Sequence, residues 1–187
     1  LEQGGIERVS SRELGEMMGI TPSQIRQDLS YFGEFGQQGY GYRVSNLYKE
    51  ISKILGLEKQ HTMVLIGVGN LGRALASYTN FRRRGFELVA AFDVREEVVG
   101  KKVADIDIKP MTELRSFLKE NPVDIGVITV PASQAQQVAD ILTQEGVKGI
   151  WNFAPIKLSV PENVIVEHVH ISDSLFALSF RLREKNS

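Results

Sequence analysis

A glycine-rich segment in the middle of the chain has the residue types and spacing of a phosphate-binding loop. Gly67-Val-Gly69-Asn-Leu-Gly72 directly follows the apolar run 63–66 and precedes a helical pattern, and Asp93 lies 21 residues beyond Gly72. In such a loop the first glycine permits a tight turn, the second admits a pyrophosphate, and the third lets the helix pack on the strand. The N–H groups at the start of the helix favour phosphate. The segment therefore predicts a dinucleotide site.

Asp93 predicts which dinucleotide binds. It ends a strand predicted over 87–92, where its carboxylate could accept hydrogen bonds from both hydroxyls of an adenosine ribose. The same charge would repel a 2′-phosphate, so we expect NAD(H) rather than NADP(H). Arg95 is the one nearby residue that would favour a 2′-phosphate, and Val94 lies between Asp93 and Arg95.

Two further segments end predicted strands and could line the nicotinamide side of the same site. Thr129-Val-Pro131 ends the run 123–130, and Asn152-Phe-Ala-Pro155 follows the strand 147–151. Ligands bind at the carboxyl ends of strands in doubly wound sheets. For each segment the alternative is a strand-terminating loop that contains proline. The cofactor residues predicted from these patterns are Gly67, Val68, Gly69, Asn70, Leu71, Gly72, Asp93, Val94, Arg95, Thr129, Val130, Pro131, Asn152, Phe153, Ala154 and Pro155.

The start of the chain has a helix-turn-helix pattern. A helix over 11–19 is capped by Ser10 or Ser11 and stopped by Gly19, and a second helix begins at Thr21-Pro22 and runs to about residue 32. Glycines and aromatic residues alternate over 33–44, which predicts a hairpin with Gln38-Gly39 at its turn, and hence a wing. A helix over 45–55, ended by Gly56, closes the domain. The residues predicted to face inward are Leu14, Met17, Met18, Ile25, Leu29, Phe32, Leu47, Ile51, Ile54 and Leu55.

Apolar strands alternate with helices after residue 60, which predicts an α/β fold with a doubly wound parallel sheet. The predicted parts are a winged-helix DNA-binding domain over 1–57, a Rossmann-type domain over 61–171 and a C-terminal helix over 172–187. Further strands are expected at 106–108 and 163–166. Helices are expected from Gly72 to about Arg84, at 112–120 with a capped start, and at 133–145. The chain begins at Leu1 within a domain, so we expect an N-terminal piece to be missing.

The final helix is more apolar than a helix lying on its own domain requires. We expect it to pack against a second copy in a homodimer, the alternative being a core helix on its own sheet. Its apolar residues are Leu175, Phe176, Leu178, Phe180 and Leu182.

Composition excludes several classes of protein and site. The chain has 187 residues, 42% of them hydrophobic, and no apolar run long enough for a transmembrane helix. The absence of cysteine excludes disulfides and thiolate metal sites and fits a cytoplasmic protein, and we expect no metal. A net charge of −1 gives no support to nucleic-acid binding, and the first 60 residues hold 7 Lys/Arg against 8 Asp/Glu. DNA contacts would then depend on a few cations such as Arg26, Arg43 and Lys49, and an ordinary solvated helical domain is the alternative.

The length of the chain argues against an enzyme. A nicotinamide dehydrogenase usually has a substrate domain that brings a general base to the hydride, and too few residues remain here to build one. Of the three histidines, His61 precedes the first strand, whereas His168 and His170 follow the last and could approach a bound ring. We therefore expect no catalysis; the alternatives are a small NAD(H)-dependent oxidoreductase and a CoA- or nucleotide-binding module.

The whole chain resembles the Rex family of bacterial redox-sensing transcriptional repressors. The resemblance lies in the segments 24–33, Gly39-Tyr-Gly-Tyr42, 67–72, 129–131 and 149–155. It implies a homodimer with winged helices, Rossmann domains that bind NAD(H), and an exchanged C-terminal helix. It also implies double-stranded DNA with an A/T-rich inverted repeat as partner, release by NADH, and control of fermentation and respiration genes.

The resemblance also implies roles for particular residues. Arg26 would contact base edges, the wing over 37–42 would enter a minor groove, and Tyr78 would lie near the nicotinamide. The chain departs from the family at Gln27, Gln37 and Gln38, where basic residues are common, and at His170, where the family has an acid. The residues predicted to contact DNA are Ser11, Thr21, Ser23, Gln24, Arg26, Gln27, Tyr31, Gln37, Gln38, Gly39, Tyr40 and Tyr42.

Overall fold

A computed structural model describes residues 5–31, 36–37 and 40–185 of the chain. Phe32, Gln38 and Gly39, which the sequence analysis placed in the first domain, lie outside the described residues. The chain divides into two compact units, Leu1–Lys59 and Gln60–Ser187. No helix in the described ranges has the length and apolar character that crossing a bilayer requires.

The first unit holds two short helices, a small antiparallel sheet and a third helix. The order across the sheet is β1-β3-β2. Its elements are β1 (Arg8–Val9), α1 (Ser11–Met18), α2 (Pro22–Ser30), β2 (Gly36–Gln37), β3 (Gly41–Arg43) and α3 (Val44–Ile54).

Both helices of the helix-turn-helix begin with a capping box. The Ser10 hydroxyl accepts a hydrogen bond from the Glu13 amide at 3.1 Å, and the Glu13 carboxylate accepts one from the Ser10 amide at 2.7 Å. Thr21 and Gln24 repeat the arrangement at the start of α2. These bonds satisfy N–H groups that the first turn of a helix leaves unpaired. The predicted caps are confirmed, with Ser10 rather than Ser11 as the first.

The core of the first unit is smaller than the sequence predicts. Its buried side chains are Val9, Leu14, Ile25, Val44 and Leu47, with Leu29 partly buried against them. The predicted inward residues Met17, Met18, Ile51, Ile54 and Leu55 are instead exposed. On α1 the reason is Gly15, where a Cβ would lie 2.6 Å from the Ile20 carbonyl oxygen. The loop that follows α1 therefore packs against the middle of this helix and leaves its last turn uncovered.

The second unit is a seven-stranded sheet with the order β10-β9-β8-β4-β5-β7-β6. Every neighbouring pair is parallel except β6–β7. Without β6 this is the doubly wound order of a Rossmann domain, so the predicted fold class is confirmed. The elements are β4 (His61–Ile66), α4 (Asn70–Ala76), α5 (Asn80–Arg83), β5 (Phe86–Asp93), β6 (Lys102–Val103), β7 (Ile106–Pro110), a 3₁₀ turn (Met111–Glu113), α6 (Leu114–Glu120), β8 (Ile125–Ile128), α7 (Ala132–Gln144), β9 (Gly149–Asn152), β10 (Ile165–His168) and α8 (Asp173–Lys185).

Strand β4 is apolar throughout its second half because both faces of the sheet are covered. Val64 and Ile66 pack in one cluster with residues of α6 and α7, whereas Met63 and Leu65 pack in a second cluster on the other face. Ile66 pairs with Phe92 of β5 on one side and with Ile128 of β8 on the other. The residues that follow these three strands therefore meet at one edge of the sheet.

Several predicted boundaries in this unit are wrong. The helix expected to reach Arg84 is interrupted after Ala76, because the Ser-Tyr-Thr sequence that follows favours helix weakly and the Tyr78 amide bonds to Leu75 in a tightened turn. A 3₁₀ turn precedes α6, and no side chain caps the start of α6, so the predicted capped start is wrong. The last strand extends to His168, so this histidine lies within the strand rather than after it.

Strand β7 lies where a strand was expected, at 106–108, whereas β6 and the turn that joins it to β7 were not predicted. The turn residues Ala104 and Asp105 both have positive φ angles, 47° and 68°. Glycine and asparagine are the usual signals for this conformation, and neither is present.

The side chains of the final helix α8 are exposed from residue 173 to residue 184. Leu175, Phe176, Leu178, Phe180 and Leu182 are each more than half accessible within the chain. This excludes the alternative of a core helix buried on its own sheet.

Candidate functional site

The glycine-rich loop between β4 and α4 has one role for each of its glycines. Gly67 has a φ of +95°, and a Cβ on it would lie 2.9 Å from the Thr129 backbone. A Cβ on Gly72 would collide with the Gly67 carbonyl oxygen, so only glycine lets α4 lie this close to the loop. Gly69 is different, because no heavy atom lies within 4 Å of a Cβ placed there. The second glycine therefore faces open space, as a loop that admits a pyrophosphate requires.

Thr129 holds the loop from the neighbouring strand. Its hydroxyl lies 2.6 Å from the Gly67 carbonyl oxygen and 3.1 Å from that of Ile66. Its amide donates to the Ile66 carbonyl at 2.9 Å. Thr129 follows β8 and Gly67 follows β4, and the strand order of the sheet reverses between these two strands. This switch point is where doubly wound sheets bind ligands.

A cleft of about 840 Å³ opens at this edge of the sheet. It contains ten of the residues predicted to bind the cofactor, namely Gly67, Gly69, Leu71, Asp93, Val94, Arg95, Thr129, Val130, Pro131 and Phe153. Sequence reasoning missed one wall of it, which α7 supplies through Gln134, Gln137, Val138 and Ile141, and it also missed Met111. The spacing 134, 137, 138 and 141 marks one helix face, which is the signal that could have identified the wall.

Asp93 lies at the end of β5 with only 5% of its side chain exposed, and every side of its carboxylate is hydrogen-bonded. One oxygen accepts from the Val68 amide at 2.6 Å and from Arg95 Nη2 at 3.0 Å. The other accepts from the Arg95 amide at 2.9 Å and from Arg95 Nε at 3.1 Å. Burial raises the pKa of Asp93, but the hydrogen bonds from Arg95 and Val68 lower it by more, so the carboxyl is ionised at neutral pH.

These residues fit a dinucleotide. The loop leaves room over Gly69, the N–H groups at the start of α4 follow it directly, and a buried carboxylate ends the adjacent strand. The fit rests on the loop, the acid and the cleft together.

Some residues predicted to bind the cofactor lie elsewhere. Asn152 is fully buried and its side chain bonds to the backbone of Ala154 and Ile156, so within this chain it shapes the turn after β9. Tyr78 lines a second cavity of about 610 Å³, where its ring meets Phe81 edge-on at 4.9 Å. His170 is exposed and stacks 6.5 Å from His168.

The remaining predicted cofactor residues surround the loop or follow β9. Val68 is buried beneath the loop, Asn70 and Gly72 lie in α4, and Ala154 and Pro155 continue the turn after β9. Among the described residues, no group of three His, Cys, Asp or Glu side chains is placed to hold a metal ion.

On the first unit, Arg26 joins the two helices of the helix-turn-helix. Its guanidinium donates to the Ser11 hydroxyl at 3.1 Å and to the Ser23 hydroxyl at 3.0 Å. The structure thus brings together three residues predicted to contact DNA. Thr21 and Gln24 are occupied in the cap of α2, whereas Gln27 and Tyr31 are exposed.

A second arginine, which sequence reasoning missed, lies at the base of the hairpin. Arg8 on β1 donates from Nη1 to the Tyr40 carbonyl oxygen at 3.0 Å, and its guanidinium lies 5.9 Å from the Tyr40 ring centroid. Arg8 is also directly opposite Arg43 on β3, and both are exposed. Like charges opposite one another destabilise a sheet, so the pair favours a bound anion. Tyr42, next to Arg43 in β3, is half-buried, and Gln37 lies in β2.

Two family models match the chain. The model described as "CoA binding domain" covers residues 58–156, and the model described as "Putative DNA-binding protein N-terminus" covers residues 1–30. A structure of the WlbA dehydrogenase of Bordetella pertussis with NADH and UDP-GlcNAcA is similar at 17% identity and a TM-score of 0.52, over 68% of this chain and 42% of that one. At that identity the likeness concerns the fold alone.

Much closer similarity extends over both units. The redox-sensing transcriptional repressor Rex of Clostridium acetobutylicum is 50% identical over 100% of this chain and 87% of its own length. A Rex of Clostridium botulinum is 52% identical over 99% of this chain and 88% of its own. The crystal structure of RSP in complex with β-NAD⁺ and operator DNA matches with a TM-score of 0.89 at 49% identity, covering 100% of this chain and 86% of that one. With half of its residues shared along its full length, the chain belongs to the Rex family of redox-sensing transcriptional repressors.

Proposed function

We propose that this chain is a DNA-binding transcriptional repressor that senses the balance of NADH and NAD⁺. The observation that carries the proposal is that a winged helix-turn-helix and a Rossmann cleft with an open glycine loop occur in one chain. The related RSP has been crystallised with NADH and also with NAD⁺ and operator DNA.

The cofactor site we propose is the cleft at the switch point. Gly67, Gly69 and the amides that begin α4 would bind the pyrophosphate, and Asp93 would bind the adenosine ribose. Thr129 orients the loop from β8. The nicotinamide carries a positive charge in NAD⁺ and none in NADH, and an apolar site disfavours the cation. Val130, Pro131 and Phe153 supply such a lining.

The DNA surface we propose centres on Arg26 in the second helix. Ser11 and Ser23 hold the Arg26 guanidinium at the surface, which limits the side-chain freedom lost when it contacts a base edge. The other contacts would come from Gln27, Tyr31 and the hairpin that carries Tyr40. An A/T-rich inverted repeat upstream of fermentation or respiration genes is the target that the family suggests.

Two copies are required to bind an inverted repeat, since dimer symmetry matches operator symmetry. The exposed apolar side chains of α8 are the surface that we propose joins them.

The switch also sets an energy that the cofactor must supply. Moving the equilibrium between the DNA-binding and released conformations of the repressor from 1:99 to 99:1 takes ~5.5 kcal/mol, or roughly half of that for each of two NADH molecules. We place this activity in the cytoplasm, where DNA and the NAD(H) pool are both accessible.

We assign no catalytic activity, because relatives about half identical to the chain are named repressors. One alternative ligand has a specific observation behind it, namely the match to CoA-binding domains over 58–156. CoA carries a phosphate on the adenosine ribose, and the buried carboxylate of Asp93 would disfavour it. CoA therefore serves as the control ligand.

Fluorescence anisotropy of the full chain on an A/T-rich inverted-repeat duplex tests the proposal. NADH is titrated at fixed NAD⁺, with CoA in a parallel series and a scrambled duplex as control. Release by NADH at micromolar concentration, and by neither NAD⁺ nor CoA, is the expected result. Specific DNA binding that NADH does not change would contradict the sensing function, and the absence of specific binding would contradict the repressor function.

A further inference from the structure

The edge of the cleft where an adenosine ribose would bind is filled by a side chain of the protein itself. An ionised carboxylate offers about four acceptor positions. All four on Asp93 are used, two by the backbone amides of Val68 and Arg95 and two by the guanidinium of Arg95. A ribose that donates two hydroxyl hydrogen bonds therefore finds no free position.

The guanidinium is the part of this arrangement that can leave. Asp93 is buried, whereas the Arg95 side chain is 43% exposed, and both residues line the cleft. The two backbone amides are fixed by the glycine loop and by the end of β5. A third bond of the guanidinium, from Nη2 to the Val68 carbonyl oxygen at 3.0 Å, also holds Arg95 beside the carboxylate.

We propose that Arg95 determines both the affinity and the specificity of the cofactor site, because it competes with the adenosine ribose for Asp93. This inference rests on the proposed function of the cleft. When the ribose binds, its two hydroxyls replace the two guanidinium donors, and the two amides remain. The displaced cation stays near the carboxylate, where it offsets the repulsion of a 2′-phosphate and pairs with one.

Two opposite effects of removing Arg95 follow. NADH no longer has to displace a charged donor, so it binds more tightly. NADPH loses the cation that compensates for Asp93, so it binds more weakly. Because the guanidinium is partly exposed, its competition is screened by solvent, and we expect a gain of about three- to tenfold for NADH. We expect a loss of about tenfold or more for NADPH.

Calorimetric titration of the full chain with NADH and with NADPH tests the inference. The variants are Arg95→Ala and Arg95→Gln, the second of which keeps a neutral donor beside Asp93 if the first folds poorly. The control is Arg83→Ala, which removes one exposed cation of α5 outside the cleft. The decisive quantity is the ratio of the NADPH dissociation constant to the NADH dissociation constant.

The expected result is a ratio that rises by about thirtyfold or more in Arg95→Ala, rises less in Arg95→Gln and stays unchanged in Arg83→Ala. An unchanged ratio in both Arg95 variants, or weaker NADH binding in both, would overturn the inference while leaving the proposed function intact. A wild-type chain that binds neither dinucleotide would overturn both.

Discussion

The hydroxyl of Thr129, just after β8, lies 2.6 Å from the carbonyl oxygen of Gly67, just after β4. This contact joins two strands at the point where the strand order reverses, and it fixes the first glycine of the phosphate-binding loop. The geometry of the loop therefore depends on a residue 62 positions further along the chain.

Removing this hydroxyl is expected to weaken cofactor binding. Thr129→Val leaves the part-buried Gly67 carbonyl without its hydroxyl donor, which costs about 1–3 kcal/mol of stability. NADH affinity should fall by about fivefold or more because the loop is less preorganised. Thr129→Ser keeps the hydroxyl and serves as the control. Wild-type NADH affinity in the valine variant, measured by calorimetry, would show that the hydroxyl hydrogen bond does not hold the loop.

The second and third glycines of the loop should differ in what an alanine does. Gly69 has a φ of −72° and open space around its Cβ position, so Gly69→Ala should fold normally and lose NADH affinity by at least about tenfold. Gly72→Ala places a methyl group against the Gly67 backbone and should lower the free energy of unfolding by about 1–3 kcal/mol. Thermal unfolding and NADH titration of both variants separate the two effects. Full NADH affinity in a folded Gly69→Ala would contradict the proposed pyrophosphate position.

Arg8 and Arg43 face one another across β1 and β3, and we expect this pair to contact a DNA phosphate. Arg8→Gln should weaken binding to all sequences similarly. It should also reduce the slope of log affinity against log salt by about 1 per subunit. Lys53→Gln, which removes an ion-paired cation of α3, is the control. A salt slope identical to that of the wild type would exclude a phosphate contact by Arg8.

The ion pair of Asp93 and Arg95 predicts a pH dependence of stability. Because the pKa of Asp93 is lower in the folded chain than its ordinary value of 3.8, its ionisation stabilises the fold above that pH. The contribution is lost as the pH falls through the folded pKa. Arg95→Ala removes two of the four hydrogen bonds to this carboxylate together with the neighbouring positive charge, so stability should decline less steeply between about pH 5 and pH 3. Denaturant unfolding of both proteins across that range measures the difference, and parallel curves would contradict the assignment.

The features that sequence predicted well are local. The loop is recognisable from the spacing of Gly67, Gly69 and Gly72 alone, and the acid is recognisable because Asp93 ends an apolar strand. The cap Thr21 stands directly before Pro22 and was equally recognisable, whereas the part that Gln24 plays in the same capping box was not predicted.

The features that it missed depend on which elements meet. Gln134 and Gln137 line the cleft only because α7 packs across β4 and β8, and Arg8 approaches Tyr40 only because β1 pairs with β3. The exposure of Met17 follows from the close packing of the turn on Gly15 rather than from helical periodicity. Propensity and periodicity do not contain this information.

The apolar side chains of α8 form a surface that a second copy of the chain is expected to cover. Phe176 and Phe180 are 69% and 62% exposed in the single chain, a large apolar surface to leave in water. If a second copy covers them, the paired substitution Phe176→Asp and Phe180→Asp should convert the dimer to a monomer in sedimentation experiments and abolish binding to an inverted repeat. Arg181→Gln, on a different face of the helix from the two phenylalanines, changes charge without removing apolar surface and should remain dimeric. A dimer that survives the paired substitution would place the subunit interface elsewhere.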